Sequence, residues 1–277
     1  MTTQDLDNVR SRHQRAFGQV AISSKPGPEQ STVLKDLRQA GSLKAVFPRN
    51  RRGRMEAVLV NTAGGVTGGD RFDISLRATG QSCLTLTTQA AERIYRATRE
   101  STGRIRSRLT VDPGAQLNWL PQETILFDGC RLKRQLEVSV AETGRFLMLE
   151  PLVFGREASG EDLQSAWIND CVTISSQGHP LYRDQVRLNG PVSTTLGRPA
   201  IANGARAMAN LVLVGDDAEA MLPAVRDLLP KAGGASLLAS QVLVARLLCP
   251  DGYALRKTLL PILTLVTRSA LPKTWSL

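Results

Sequence analysis

Residues 71–120 read RFDISLRATGQSCLTLTTQAAERIYRATRESTGRIRSRLTVDPGAQLNWL and carry the pattern on which the fold depends. Apolar and polar residues alternate in short segments such as RFDISLRA and SCLTLTT, and Gly, Pro, Asp and Asn separate these segments. An alternation of period two is typical of strands with one buried face. Short strands with turn residues between them indicate a sandwich, a barrel or a β-helix. We therefore predict a mainly β protein.

The same pattern continues on both sides of this stretch, from about residue 17 to residue 187. It recurs in MEAVLVN at 55–61, LKRQLEVSV at 132–140 and AWINDCVTISS at 166–176. Residues 17–205 are thus predicted to form one β-rich body. A chain of 277 residues is long enough for one large domain or two small ones.

The last quarter of the chain has a different pattern. NLVLVG at 210–215 is a compact apolar run, and DDAEAMLPAVRDLLP at 216–230 opens with acids that suit a helix N-terminus. SLLASQVLVARLLC at 236–249 is strand-like, and residues 250–271 have helical spacing with a kink expected at Pro261. We predict a strand–helix–strand–helix layer over 206–277. Because no Ser/Gly linker precedes it, the chain 1–277 is predicted to be a single integrated domain.

Composition excludes several classes of protein. Hydrophobic residues make up 42% and charged residues 22%, which is ordinary for a globular protein. No apolar run reaches the roughly 18 residues of a transmembrane helix, and the start MTTQDLDNVRSRHQRAFG lacks the apolar core of a signal peptide. The four cysteines are far apart and there are only two histidines, which argues against a disulfide scaffold and a fixed zinc site. We predict a cytoplasmic protein that does not bind membranes.

The net charge of +10 raises a second possibility, a basic protein that binds RNA or phosphate. Its arginines outnumber its lysines by 28 to 7, and arginine forks suit phosphates, carboxylates and protein interfaces. Genomic codon bias explains the ratio equally well. Only 4% of residues are aromatic, so the base-stacking surfaces of RNA-binding proteins are poorly represented.

Four segments are candidates for function: NTAGGVTGGD at 61–70, TTQAAERIYR at 87–96, LPQETILFDG at 120–129 and EPLVFGREASGE at 150–161. The first is neither a P-loop nor a dinucleotide fingerprint. It is either a tight connection between strands or a binding loop whose Asp70 points into a cleft. The second is either an exposed salt-bridged surface or a functional segment, and its secondary structure, helix or strand, stays open.

The acids of the third and fourth segments also allow two interpretations. Asp128 fits an Asp-Gly turn at the end of a strand. Glu150, Glu157 and Glu161, by contrast, fit a channel that holds a divalent ion weakly, or a general acid/base pair. A hydrolase with paired carboxylates is therefore a third possible function. No Ser–His–Asp arrangement, GxSxG elbow or HExxH motif is present, which argues against catalysis.

Together, in this order, the four segments resemble the urease accessory protein family UreD, called UreH in some bacteria. Weaker likeness covers 31–49, 167–188 and LPKTW at 271–275, and Cys130, Glu157 and Ser159 depart from the family pattern. The resemblance implies a β-helix-like fold of stacked sheets with two helices near the C-terminus. It also implies a non-enzymatic factor that binds apo-urease and acts with UreF and UreG to deliver nickel.

Nickel binds nitrogen and sulfur ligands more tightly than oxygen, so a route for nickel in transit should use carboxylates. We hypothesise that acids of the four segments face one internal passage. We also expect that the protein has no tightly bound cofactor and no nucleic-acid partner. The members of this route are Asp70, Glu92, Glu123 and Glu150, with Asp128 and Glu161 as further members. The glycine loop comprises Gly64, Gly65, Gly68 and Gly69. The predicted partner-binding residues of the C-terminal helix and tail are Leu259, Leu260, Leu263 and Trp275, although that helix could instead simply cover the sheet.

Overall fold

In the computed structural model, the described residues are 14–49, 53–98, 101–156 and 160–276. Glu157 and Ser159 therefore lie outside the described residues. The described part contains 17 strands and three α-helices. The strands are β1 (Phe17–Pro26), β2 (Thr32–Gly41), β3 (Leu43–Val46), β4 (Met55–Asn61), β5 (Arg71–Ala78), β6 (Cys83–Thr88), β7 (Glu92–Ile94), β8 (Gly103–Val111), β9 (Gln116–Leu120), β10 (Thr124–Leu126), β11 (Arg131–Val140), β12 (Arg145–Phe154), β13 (Ala166–Ser176), β14 (His179–Gly190), β15 (Ala207–Val214), β16 (Gly233–Ala239) and β17 (Val242–Cys249). The helices are α1 (Val192–Leu196), α2 (Ala218–Leu228) and α3 (Gly252–Thr267).

The strands form two sheets that face each other. Sheet A has the order β14-β13-β11-β8-β5-β1-β2, and sheet B runs β16-β17-β15-β12-β9-β6-β4-β3 with β7 and β10 beside it. Between β4 and β13 the chain passes repeatedly from one sheet to the other, and it returns each time to a strand parallel to the previous one. Parallel strands reached by such crossings form stacked coils. The prediction of a mainly β, β-helix-like fold is confirmed.

The short strands β7 and β10 form a third side of the coils, and we call this part of the molecule the corner. β10 pairs in parallel with both β7 and β12, and an isolated bridge joins Val66 to Ile94. One apolar residue from each coil is therefore stacked in register, in the order Val66, Ile94, Leu126 and Phe154, and all four are buried. Segment 87–96, for which helix and strand were both open, ends β6 and contains β7, so it is a strand segment.

The interior and the outer face of sheet B are packed separately. Alternate residues of each strand fill the space between the sheets, as Phe146 and Met148 do on β12. Their neighbours Leu147 and Leu149 point outward and pack under α2 and α3. Both faces of the middle strands are buried, which explains the nearly continuous apolar runs of β12 and β15.

The C-terminal region extends sheet B instead of forming a separate sheet. β15 pairs antiparallel with β12, and β17 pairs with β15. The two helices predicted here are present as α2 and α3, and the Asp251 carboxylate caps α3 by accepting from the Ala254 amide at 2.7 Å. The single strand predicted at 236–249 is wrong: a turn at Ser240 and Gln241 splits it into the hairpin β16–β17. No helix in the described residues has the length and apolarity needed to cross a bilayer.

Candidate functional site

The four candidate segments occupy equivalent places on successive coils. Each contributes one residue to the stacked apolar row of the third side, so residues far apart in sequence lie side by side. Glu92 on β7 is in register with Thr124 on β10, which is in register with Leu152 on β12. This stacking brings the segments to one corner of the molecule, although it does not bring all of their acids to one point.

A buried ion cluster lies behind this corner, between the two sheets. Arg134 of β11 donates from Nε and Nη2 to the two oxygens of Asp170 at 2.9 and 2.5 Å. Its Nη1 lies 2.6 Å from Oε2 of Glu150 on the opposite sheet and donates to Thr124 Oγ1 at 3.1 Å. Trp119 Nε1 donates to the other Glu150 oxygen at 2.5 Å. One cation thus joins two carboxylates that belong to different sheets.

The charge of this cluster does not balance. Burial raises the pKa of Glu150 above its ordinary value, Arg134 opposes the rise, and the nearby Asp170 charge adds to it. Burial alone lowers the pKa of Arg134, but Asp170 and Glu150 raise it overall. The Glu150 Oε2 atom lies 2.6 Å from Arg134 Nη1, and it has no other donor among the described residues. Arg134 is therefore what holds this buried oxygen in the interior.

The polar layer continues along sheet B beyond Glu150. Glu150 is in register with Asn210 on β15, and Asn210 is in register with Arg246 on β17. Arg246 donates to Asn210 Oδ1 at 2.6 Å, and both residues donate to Asp184 of β14 at 2.6 to 2.8 Å. The exposed fraction of the Asp184 side chain is 18%, so this end of the layer approaches the edge of the sheet.

Sequence reasoning missed most of this layer. The residues it did not single out are Arg134, Asp170, Asp184, Asn210 and Arg246. A signal for two of them was present, because Arg134 and Asp170 occupy apolar positions of alternating strands, between Leu132 and Leu136 and between Ile168 and Val172. A charged residue at such a position must find a buried partner.

Glu92 and Glu123 lie at the outer side of the corner. The Glu92 backbone amide donates to the Glu123 carbonyl, and their side chains line two neighbouring depressions that share Gln89, Ala90 and Ala91. Glu123 pairs with Arg256 of α3 at 3.1 Å, and the Glu123 side chain is 12% exposed.

Among the described residues, the Glu92 carboxylate has no ion pair; it accepts from the Asn61 amide at 3.1 Å. Burial raises the pKa of Glu92 to about 7, although the Asn61 hydrogen bond opposes the rise. The carboxyl group is therefore partly protonated near neutral pH.

Asp128 and Glu161 lie together at the other end of the third side. Asp128 pairs with Arg96 at 2.6 Å and accepts from the Ser165 amide at 2.8 Å. Glu161 accepts from the Asp128 amide at 2.8 Å and pairs with Arg156 at 2.5 Å. These bonds stabilise the turns that follow β10 and β12. Asp128 precedes the glycine of an Asp-Gly turn, Gly129, whose φ is 73°.

Asp70 is buried at the end of the glycine loop. One of its oxygens accepts from the Ala16 amide and the other from the Thr67 amide, both at 2.8 Å. The loop is packed tightly: a Cβ at Gly65 would lie 2.6 Å from the Arg93 carbonyl oxygen, and one at Gly68 would lie 2.8 Å from the Ser101 carbonyl oxygen. Gly64 and Gly69 have φ of 77° and 90°, where glycine is favoured. This geometry is that of a tight connection from β4 to β5.

The predicted partner-binding residues face inward for the most part. Leu259, Leu263 and Trp275 are 0% exposed and belong to the apolar cluster between the outer face of sheet B and the helices. Leu260 is partly buried and packs against the same cluster. The helix thus covers the sheet, and partner binding by these side chains stays a prediction.

The six predicted route carboxylates therefore lie in four environments. Glu92 and Glu123 are neighbours, Asp128 and Glu161 are neighbours, Glu150 is in the interior and Asp70 caps a loop. Within the ranges that the structure describes, no group of three or more His, Cys, Asp or Glu is arranged to hold a metal ion. Convergence on one passage stays a prediction.

The raised pKa of Glu92 predicts that the glutamate lowers stability at alkaline pH. Because the pKa of Glu92 is higher in the folded state than its unfolded value of 4.5, folding favours the protonated side chain. The stability of the parent is therefore greatest below pH 4.5 as far as this group is concerned, and it decreases as the pH rises through about 7. Glu92→Gln removes the charge and keeps an acceptor for Asn61. We expect the variant to be more stable than the parent by about 1 to 2 kcal/mol at pH 8, a gap that shrinks steadily towards pH 5. Urea denaturation across this pH range tests it; a gap that does not change with pH contradicts it.

Fold and site together define a β-solenoid protein with a buried layer of ion pairs and two helices that cover one sheet. The family model of the UreD urease accessory protein matches residues 14–276. The chain is 49% identical over 263 residues to urease accessory protein UreD of Roseobacter denitrificans, which covers 95% of this chain and 96% of the relative. It is 48% identical over 246 residues to the UreD protein of Ruegeria pomeroyi, with 89% and 96% covered. This chain belongs to the UreD family of urease accessory proteins, a family with a role in urease maturation.

Proposed function

We propose that this protein is a non-enzymatic urease maturation factor of the cytoplasm. It binds apo-urease and acts with UreF and UreG while nickel is delivered to the urease active site. The observation that carries the proposal is the family match, which extends over residues 14–276. Relatives named urease accessory protein UreD match nearly the full length of the chain.

The arrangement of the carboxylates supports a refined route for nickel. Four of the six predicted acids already pair with arginine: Glu123, Asp128, Glu150 and Glu161. A divalent cation would have to displace a guanidinium at each of them, and the two amides that Asp70 binds occupy its oxygens. Among the described residues the Glu92 carboxylate has no guanidinium partner and is held only by hydrogen bonds from Asn61 and the Arg93 backbone, so we propose Glu92 as the first contact with nickel, with Glu123 as its neighbour. Oxygen ligands of this kind hold Ni²⁺ weakly enough to release it.

Co-expression tests both parts of the proposal. The urease subunits and the other accessory proteins are produced with this chain, without it, and with the double variant Glu92→Gln/Glu123→Gln; the nickel content of purified urease is then measured. Without the chain, we expect the nickel content of urease to fall well below that of urease made with the chain. The double variant should still co-purify with its partners while nickel content falls several-fold.

A matched control distinguishes the route from a general loss of acidic charge. Glu142 and Glu219 are exposed, far from the corner, and Glu142→Gln/Glu219→Gln removes the same charge. This control should load urease as the parent does. Full nickel content in urease made without the chain would overturn the maturation role. Full content with the double variant would overturn only the route through Glu92 and Glu123.

A further inference from the structure

The outer face of sheet A is strongly basic. On the three central strands β5, β8 and β11, alternate side chains point away from the interior, and most of them are arginine or lysine. Only two of these outward residues, Asp73 and Glu137, are acidic. The outward cations are Arg71, Arg77, Arg104, Arg106, Arg108, Arg131 and Lys133. This face is opposite the helices and does not contain the corner described above.

One line of this face has no acid. Arg71 on β5 is in register with Arg104 on β8, and Arg104 is in register with Lys133 on β11. We call these three residues the cationic row. Two strands further, the same register continues through Asn169 to Arg187. The cationic row borders a shallow depression of about 250 Å³ whose other lining residues include Arg106 and Asp73.

On the next two lines of the face, an acid, Asp73 or Glu137, offsets part of the positive charge. Glu137 is in register with Arg108, and it lies 3.2 Å from Arg106 and 3.5 Å from Arg108. The cationic row has no ion pair among the described residues. Like charges directly opposite each other on neighbouring strands, about 4.8 Å apart, reduce the stability of a sheet. An arrangement of like charges that lowers stability, and that no ion pair within the described ranges offsets, is the kind expected at a binding site.

We propose that the cationic row binds an acidic helix of a partner protein. Neighbouring strands place the three cations in a line about 4.8 Å apart, and glutamates at i, i+4 and i+8 follow each other along one helix face at a similar spacing of about 5 to 6 Å. Such a helix can therefore set one carboxylate opposite each cation.

A protein helix fits this face better than nucleic acid does. No outward residue of β5, β8 or β11 is aromatic, so a base placed over the cationic row itself would find no ring to stack on; the outward rings of this face, Phe17 and Trp167, lie on the adjoining strands β1 and β13. Asp73 lies on the line next to the row and Glu137 two lines from it, and these acids would repel a continuous phosphate backbone more than discrete carboxylates that can avoid them. The inference does not depend on the role in urease maturation.

The test uses the full chain and a defined probe. The probe is a synthetic helical peptide of about 20 residues with Glu at every fourth position in an alanine background. Binding is measured at low salt, where surface charges are least screened. We expect the triple variant Arg71→Gln/Arg104→Gln/Lys133→Gln to bind the peptide at least about tenfold more weakly than the parent.

A second triple variant controls for total charge. Arg198, Lys231 and Lys257 are exposed and lie outside sheet A, so Arg198→Gln/Lys231→Gln/Lys257→Gln makes the same change in net charge elsewhere. It should bind the peptide as the parent does. Equal weakening by both triple variants would reduce the effect to net charge and overturn the proposal. Tighter, row-dependent binding of a single-stranded RNA of equal length would overturn it in favour of nucleic acid.

Discussion

Replacing Arg134 with methionine is expected to lower the free energy of unfolding by about 3 to 5 kcal/mol, because removal of one member of a buried ion cluster leaves charge without a partner. Arg134 lies between Asp170 and Glu150, and the described structure has no other cation in contact with either. Methionine fills a similar apolar volume, so the loss reports the lost charge more than a cavity. Urea denaturation of parent and variant at pH 7.5 measures it.

A compensated variant separates the charge effect from the packing effect. In Arg134→Met/Glu150→Gln/Asp170→Asn the two carboxylates become neutral amides, and the amide oxygen introduced by Glu150→Gln can still accept from Trp119. Replacement of a whole buried ion cluster by well-packed hydrophobic residues is often close to neutral for stability, and the two amides likewise leave no buried charge without a partner. We expect the triple variant to recover at least half of the loss. A single variant that costs less than about 1 kcal/mol would mean that water already reaches the cluster.

Arg134 also shows what the sequence could and could not predict. Alternation within LKRQLEVSV predicts a strand and places Arg134 on its apolar side, so a buried charge could be expected there. The identity of its partners could not, because Asp170 and Glu150 reach it only through the register of strands on two sheets. Local alternation determines which face a residue takes, whereas register depends on long-range packing.

The corner illustrates the same limit on another scale. Val66, Ile94, Leu126 and Phe154 are stacked, and they are separated by 28, 32 and 28 residues. Each coil needs only one small apolar patch at this position, so the coils share no sequence that a search for repeats detects. The family resemblance rests on four segments, and the structure stacks these segments side by side. The resemblance did not show that four of the six acids are held by arginine, since that depends on side chains from other elements, such as Arg256 of α3.

Truncating Trp275 to alanine is expected to lower the free energy of unfolding by about 3 to 5 kcal/mol, the usual cost of removing a fully buried large aromatic side chain. The ring is 0% exposed, and Nε1 donates to the Leu120 carbonyl at 3.1 Å. Arg256 lies 5.1 Å over the ring and also donates to the Thr274 carbonyl. Loss of the ring therefore leaves the Leu120 carbonyl without its donor and loosens the arginine that holds Glu123.

Trp167 offers the matched control for this substitution. It lies partly exposed on the outer face of sheet A, where Arg131 is 5.3 Å from the ring, and a surface cation–π contact contributes about 0.5 to 1 kcal/mol. Trp167→Ala should thus cost far less than Trp275→Ala in urea denaturation. The same variants test the docking role predicted for the C-terminal tail. The opposite result would be a Trp275→Ala variant that is as stable as the parent but no longer co-purifies with partner proteins. In that case the tail would be a docking segment, and Trp275 would not be buried in the free protein.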